Sequence, residues 1–302
     1  MESSQVVRSA PAPAAPFRAA WRSRRLEVTG LGTEGPTGIA VFEAGRTEPD
    51  APRLVLVHGM GHWTQAAWDF VAADFTATHR IVAFDLPGFG ASGKPHVRYT
   101  LPFFTSVLRA VVADAKVAPF ALAGHSLGGL IAADYAARYP DEVRELTLIA
   151  PAGFLRTPQL VLRVLGSRPV TGLMGALKPS PAFVRRTLEN AVFSPASIPP
   201  EDMTRALELG CNRAAARAFA SVYAGALHEM VHMKALHARL AAWRGPTLLV
   251  WGRNDRFIPV RALAGARAVY PNARVLEIDR CGHCPSIEYP ARVAAAMRAL
   301  ES

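Results

Sequence analysis

Residues 122–130 read LAGHSLGGL, and within them Gly124-His125-Ser126-Leu127-Gly128 forms a G-x-S-x-G. That spacing suits a sharp turn from a strand into a helix, which pushes the Ser hydroxyl out above a sheet in a strained backbone conformation. The residues two positions to either side must then be tiny, or their side chains would collide. The apolar run PFALAG precedes the turn and the helix-like LGGLIAADYAARYP follows it. In isolation a Gly-rich strand–helix turn with an incidental Ser would read the same way. A phosphate loop would need G-x-x-x-x-G-K followed by Ser or Thr, which this chain lacks. Ser126 is the candidate nucleophile.

On both sides of this turn, short apolar runs alternate with helix-like segments. RLVLVHG (53–59), HRIVAFDLPG (79–88), PFALAGHS (119–126), ELTLIAPAG (145–153), PTLLVWG (246–252) and ARVLEID (273–279) read as buried strands. They are rich in Val, Leu and Ile and bounded by turn residues, as in a sheet covered on both faces. Helical patterns fill 66–75, 101–115, 127–140, 259–271 and 290–302. This alternation predicts an α/β fold with a mostly parallel sheet and right-handed crossovers. SRRLEVTG and GIAVFEAG, ahead of these runs, suit an antiparallel hairpin at the sheet edge. From 154 to 244 no comparable strand occurs, and Pro-punctuated loops (LKPSPAF, SPASIPPED) separate Ala-, Leu- and Arg-rich helices. A stretch that long is too much for a loop, so it reads as a helical insertion.

A nucleophilic Ser needs a base, an acid to orient that base, and donors for the developing oxyanion. Asp255 falls just past the strand PTLLVWG, and His283 just past ARVLEID. Each alone would pass for a turn, loop or core residue. Their order after Ser126, both at strand ends, is what points to a triad. No carboxylate follows ELTLIAPAG, which removes the other common position for the acid. His58-Gly59-Met60-Gly61 follows the first parallel strand, so the backbone N–H groups of Met60 and Leu127 are candidates for the oxyanion hole. Each such donor stabilises a transition state by about 3–4 kcal/mol. His58 itself reads as a structural loop residue.

Five ordered stretches, HGMG, DLPGFGASGKP, GHSLGG, WGRNDRFIP and GHCPSIEYP, resemble the motifs of the α/β-hydrolase fold superfamily and run from about residue 54 to the last residues. The resemblance implies an α/β-hydrolase core at 23–153 and 245–302, with a helical cap, or lid, inserted at 154–244. Residues 1–22 are expected to form a flexible arm. WGRNDRFIP and the overall layout also resemble meta-cleavage-product C–C hydrolases. GHSLGG is equally at home in carboxylesterases, lactonases and cofactor-free haloperoxidases. Members with an Asp nucleophile are disfavoured, because position 126 is Ser.

Two further motifs compete with this reading. His228-Glu229-Met230-Val231-His232 is a complete H-E-x-x-H, the signature of a zinc hydrolase. His237 has the wrong spacing for a third ligand, and no evident Glu follows, so a cap helix with polar residues at its surface is the preferred reading. Cys281-Gly282-His283-Cys284 is a C-x-x-C. Only 18 residues follow Cys284, too few for a thioredoxin-type domain, and a haem box would need His at 285, where there is Pro. The two cysteines read as flanks of the base, with oxidation of either thiol able to disturb the His loop.

Composition narrows the classes. Half the residues are hydrophobic and 19% charged, and the three cysteines are no disulfide framework and fit a reducing compartment. The net charge of +10 is spread along the chain without a basic run of five, which argues against nucleic-acid binding. No apolar run reaches the length of a membrane span. The first 25 residues lack a continuous apolar signal core, so a cytoplasmic location is expected.

The expected protein is a serine hydrolase acting on a small-molecule ester or lactone without metal or organic cofactor. The alternatives are C–C bond hydrolysis of a vinylogous β-diketone, haloperoxidase-like chemistry and a non-catalytic ligand-binding member of the fold. His62, Trp63, His125, Phe154 and Met230 are candidate substrate contacts. Phe154, Met174, Phe183, Phe193, Met230 and Met233 are candidates for an apolar inner face of the cap. A homo-oligomer is compatible with the sequence.

Overall fold

The computed structural model describes residues 18–157 and 159–301. Eight strands form one sheet: β1 (Arg22–Val28), β2 (Thr37–Gly45), β3 (Arg53–Val57), β4 (Arg80–Phe84), β5 (Phe120–His125), β6 (Val143–Ile149), β7 (Thr247–Gly252) and β8 (Arg274–Ile278). Their order is β1-β2-β4-β3-β5-β6-β7-β8. β1 and β2 form the expected antiparallel hairpin, and β2 runs antiparallel to β4. From β4 to β8 every neighbouring pair is parallel. All the parallel strands therefore end on one edge, where loops can converge.

Twelve α-helices lie among the described residues. α1 (Thr64–Ala73), α2 (Leu101–Ala115) and α3 (Leu127–Arg138) precede β6. Between β6 and β7 come α4 (Gln159–Leu165), α5 (Arg168–Ala176), α6 (Pro181–Ala191), α7 (Pro200–Gly210), α8 (Arg213–Val231) and α9 (Met233–Leu240). α10 (Leu263–Val269), α11 (Pro285–Glu288) and α12 (Pro290–Glu301) complete the chain.

The central strands β3, β4, β5 and β7 are mostly apolar and buried because helices cover both faces, whereas the edge strands β1 and β8 are largely exposed, β8 against the expectation of a buried strand at 273–279. Along β3, Leu54 and Leu56 pack with Trp68 of α1 and Met297 of α12, while Val55 and Val57 pack with residues of α2 and α3. Truncating any of these fully buried side chains to Ala would cost about 2–5 kcal/mol. Helix starts follow local chemistry. Thr100 caps α2 by accepting from the Phe103 amide, and Asn212 caps α8 by accepting from Ala215.

Two further expectations need correction. The Pro-rich stretches LKPSPAF and SPASIPPED are not plain loops, because Pro181 and Pro200 open α6 and α7. Proline suits a first helical turn, where its missing N–H is not needed. Residues 18–22, expected to lie in a flexible arm, are held against the body of the protein. Arg18 pairs with Asp69 of α1 at 2.9 Å and Asp202 of α7 at 3.0 Å, and the Trp21 indole donates to Asp69 at 2.6 Å. Burial still outweighs these partners and lifts the Asp69 carboxyl to about 6. Residues 1–17 of that arm lie outside the described residues. No helix of the described residues is long and apolar enough to cross a membrane.

Candidate active site

Ser126 sits between β5 and α3 with φ 54° and ψ −116°, a strained conformation for a residue with a Cβ. Its amide donates to Ile149 of β6 at 2.9 Å, and its carbonyl accepts from Leu130 and Ala152. The flanking glycines are required by contact. A Cβ at Gly124 would lie 2.3 Å from the Gly128 carbonyl oxygen, and one at Gly128 would lie 2.3 Å from that of Val57. Both obstacles are backbone, so neither can swing aside.

The loops carrying Asp255 and His283 are laced together before their side chains meet. The Asn254 amide donates to the Cys281 carbonyl and Arg253 to Ile278, each at 2.9 Å. Gly252, the last residue of β7, leaves room for the Gly282 carbonyl, which a Cβ there would meet at 2.0 Å. Asp255 Oδ1 accepts from the amides of Phe257 and Ile258, both at 2.8 Å. Its other oxygen, Oδ2, lies 2.7 Å from His283 Nδ1. Both residues are buried, at 6% exposure each. A carboxylate at Nδ1 holds the proton on that nitrogen and leaves Nε2 as the basic one. Phe257 stands edge-on to the His283 ring, with centroids 5.5 Å apart.

The HGMG loop lies directly against this elbow. A Cβ at Gly59 would sit 3.0 Å from Ser126 Cβ. Leu127 is the first residue of α3, so its N–H has no intrahelical partner. Among the described residues, Met60 donates no backbone hydrogen bond from its amide. His58 accepts from the Leu86 amide at 2.8 Å and turns its other ring nitrogen to the Gly59 carbonyl at 2.7 Å, fixing the loop to the end of β4. Burial keeps it neutral by pushing its pKa down.

The candidate substrate contacts divide. His125 is fully enclosed, with Nε2 2.7 Å from the His283 carbonyl oxygen and its ring 4.8 Å from the His283 ring. Burial, reinforced by the neighbouring His283 and His62, pushes its pKa far down, so it acts as a neutral brace under the loop carrying His283. His62 and Trp63 line a small, mostly apolar cleft between α1 and the α6–α7 region, next to Cys284; Ser126 does not line it. Burial takes His62 down to about 3. Phe154 packs into the main core, stacked on His237 with centroids 5.3 Å apart. Met230 is half-buried in the last turn of α8. Phe183 and Phe193, proposed for an inner cap face, are exposed instead.

Phe219 of α8 and Glu288 of α11 were not singled out from the sequence. A Cβ at Gly61 would lie 3.7 Å from the Phe219 ring, which places that ring over the HGMG loop. Glu288 Oε1 accepts from the Gly282 amide at 2.6 Å, and Oε2 accepts from the Phe193 amide at 2.7 Å. One carboxylate thus ties the segment after α6 to the loop carrying His283, aided by the His283 amide donating to Ala191 at 2.6 Å. Glu288 stands within GHCPSIEYP, but nothing in that string reveals that its partners come from residues 193 and 194.

The Glu of the H-E-x-x-H is engaged elsewhere. α8 ends at Val231, and Glu229 pairs with Arg239, which also holds the buried Asp134. Among the described residues no group of three His, Cys, Asp or Glu is arranged to hold a metal ion. Cys281 and Cys284 are free buried thiols whose pKa values burial raises strongly, so neither is poised to become a reactive thiolate.

An elbow Ser at the carboxyl edge of a parallel sheet, with an Asp–His pair from the last two strands, defines a hydrolase architecture. Residues 52–290 match the α/β-hydrolase fold family, to which this chain belongs, and the chain is an enzyme of the hydrolase class. It is 30% identical over 258 residues to a pimeloyl-(acyl-carrier protein) methyl ester esterase of Aromatoleum aromaticum, covering 79% of this chain and 94% of that one. A 2-hydroxymuconate semialdehyde hydrolase of a Pseudomonas species is 26% identical over 249 residues, covering 80% of this chain and 84% of its own. Among solved structures, a bacterial membrane phospholipase A superposes with a TM-score of 0.71 at 29% identity, covering 93% of this chain and 86% of that one.

Proposed function

We propose that this chain hydrolyses a carboxylic ester or lactone of a small-to-medium apolar substrate through Ser126, His283 and Asp255. The 2.7 Å contact between Asp255 Oδ2 and His283 Nδ1, together with a Ser held at positive φ, is the observation that carries the reading. His283 Nε2 takes the Ser126 proton as Oγ attacks the carbonyl carbon, and Asp255 stabilises the imidazolium. The amides of Met60 and Leu127 receive the oxyanion. Collapse of that intermediate expels the alcohol, which takes the proton from His283 and leaves an acyl-Ser126. Water, deprotonated by His283, then releases the acid and restores the Ser. The helices between β6 and β7 cap the site, with Phe219 closing over the HGMG loop.

A panel of p-nitrophenyl esters tests this with wild type and Ser126→Ala. Turnover by wild type and its loss by at least about a thousandfold in the variant is expected. Activity that survives the substitution would sink the nucleophile assignment. Similarity to the 2-hydroxymuconate semialdehyde hydrolase favours a second reading, C–C bond cleavage of a vinylogous β-diketone by the same residues. Turnover of a dienoic ring-fission product with no turnover of esters would select it.

A further inference from the structure

The surface of the helical insertion carries an unusual combination of groups. Ten large hydrophobic side chains are exposed among the described residues, and six belong to α4, α5 and the residue after α5: Leu160, Val161, Val164, Leu165, Leu173 and Leu177. Leu160, at 73%, is the most exposed of all, followed within this set by Leu173 at 63%. α4 and α5 both pack against α8. Leu162 and Gly175 are buried on that side, which leaves the six apolar side chains facing outward.

Along this stretch of the chain the charge has one sign. Residues 146–188 contain no Asp or Glu. They contain Arg156, Arg163, Arg168, Lys178, Arg185 and Arg186, all exposed. Among the described residues none of these six cations makes an ion pair. Elsewhere on the protein, Arg18, Arg24, Arg46 and Arg253 all have carboxylate partners.

We infer that the outward face of α4 and α5 docks on an anionic lipid surface, inserting its leucines and valines and setting its Arg and Lys side chains against lipid phosphates. Patches of this kind mark interaction sites, and an apolar strip fringed by unpaired cations suits the boundary between headgroups and acyl chains. Arg and Lys side chains extend an apolar stem while keeping the charge at headgroup level. A second copy of this chain fits worse, because a two-fold interface would oppose Arg163, Arg168 and Lys178 with positive charge. The docking is peripheral, with the body of the enzyme above the surface. It does not depend on which bond the enzyme cleaves.

Vesicle co-sedimentation of the full chain tests the inference. The probes are vesicles of phosphatidylcholine alone and vesicles containing about a third phosphatidylglycerol. The protein is expected to sediment with the anionic vesicles at low salt and to be released at high salt. Arg163→Ala with Arg168→Ala should weaken that partitioning by about thirtyfold, at about 1 kcal/mol per cation. Leu160→Asn with Leu173→Asn should weaken it by about tenfold or more while leaving its salt dependence in place. Unchanged far-ultraviolet circular dichroism and melting establish that the variants are folded, whatever the substrate. Absence of binding to anionic vesicles, or equal binding by the Arg variant, overturns the inference. So does a dimer in light scattering that the Leu variant converts to monomer, which would make this face a subunit interface.

Discussion

Asp255→Asn is the substitution that most directly tests the catalytic reading, because the structure dictates how the new amide must lie. Asp255 Oδ1 accepts two backbone N–H groups at 2.8 Å, from Phe257 and Ile258. An Asn that turned its NH2 toward those donors would lose both hydrogen bonds and set donors against donors, at about 1–3 kcal/mol for each buried group left unpaired. The oxygen therefore stays with the amides, and the NH2 takes the place of Oδ2, 2.7 Å from His283 Nδ1. That NH2 donates to Nδ1, so the imidazole carries its proton on Nε2, the nitrogen that must accept from Ser126. The fold keeps both loop hydrogen bonds, and unfolding in urea should change by only about 1 kcal/mol. The base, however, is held in the wrong tautomer. A loss of about ten-thousandfold in kcat is expected, equivalent to about 5 kcal/mol of transition-state stabilisation. kcat/KM should fall by the same factor with KM little changed, since the lost interaction is made only in the transition state. Steady-state kinetics on the best substrate of the ester panel measure it. A folded variant that keeps more than about a tenth of the wild-type kcat would refute the assignment of Asp255.

Three other outcomes follow from the same geometry. Gly128→Ala would drive a Cβ to 2.3 Å from the Val57 carbonyl oxygen, and relief requires α3 to move by about 1 Å. About a hundredfold loss of activity and 1–3 kcal/mol of stability are expected from kinetics and thermal melting, and a wild-type-like variant would contradict the close approach. His62 titrates near 3 when folded, below its unfolded value of about 6.5, so between these values only the unfolded chain takes up the proton. Its contribution to stability is intact at pH 7 and declines as pH falls below about 6.5. Urea denaturation of wild type relative to His62→Phe should shift by about 2 kcal/mol against wild type between pH 7 and pH 5, and a constant difference would deny the burial. A thiol reagent applied to native protein should label Cys211, which is partly exposed, and spare Cys281 and Cys284 until denaturation. Rapid native labelling at either of those positions, located by mass spectrometry, would show that the base loop opens.

The C-x-x-C illustrates the division between sequence and structure. Its spacing alone invites a redox reading, and Pro285 where a haem box would need His speaks against one form of it. Its sensitivity to oxidation could not be judged from the string, because burial sets thiol reactivity. Similarly, H-E-x-x-H is a local pattern. Whether its Glu is free depends on Arg239, ten residues away, and on Asp134 of another helix. Phe219 and Glu288 escaped notice for the same reason, since each acts on residues distant in the chain.

What the sequence determined by itself was whatever local chemistry enforces. Continuous apolar runs specify strands covered on both faces, Gly124 and Gly128 specify a tight elbow around Ser126, and the chain order Ser126, Asp255, His283 places each group after a strand. The tertiary structure decided what depends on approach across the fold. It brought the carboxylate of Asp255 to 2.7 Å from His283, took Phe154 into the core, docked the chain from Arg18 onward, and turned six large apolar side chains of α4 and α5 outward. Local patterns follow from backbone sterics and side-chain periodicity, which act within a few residues. Burial, pairing and exposure are set by neighbours that only the closed sheet and its helices bring together.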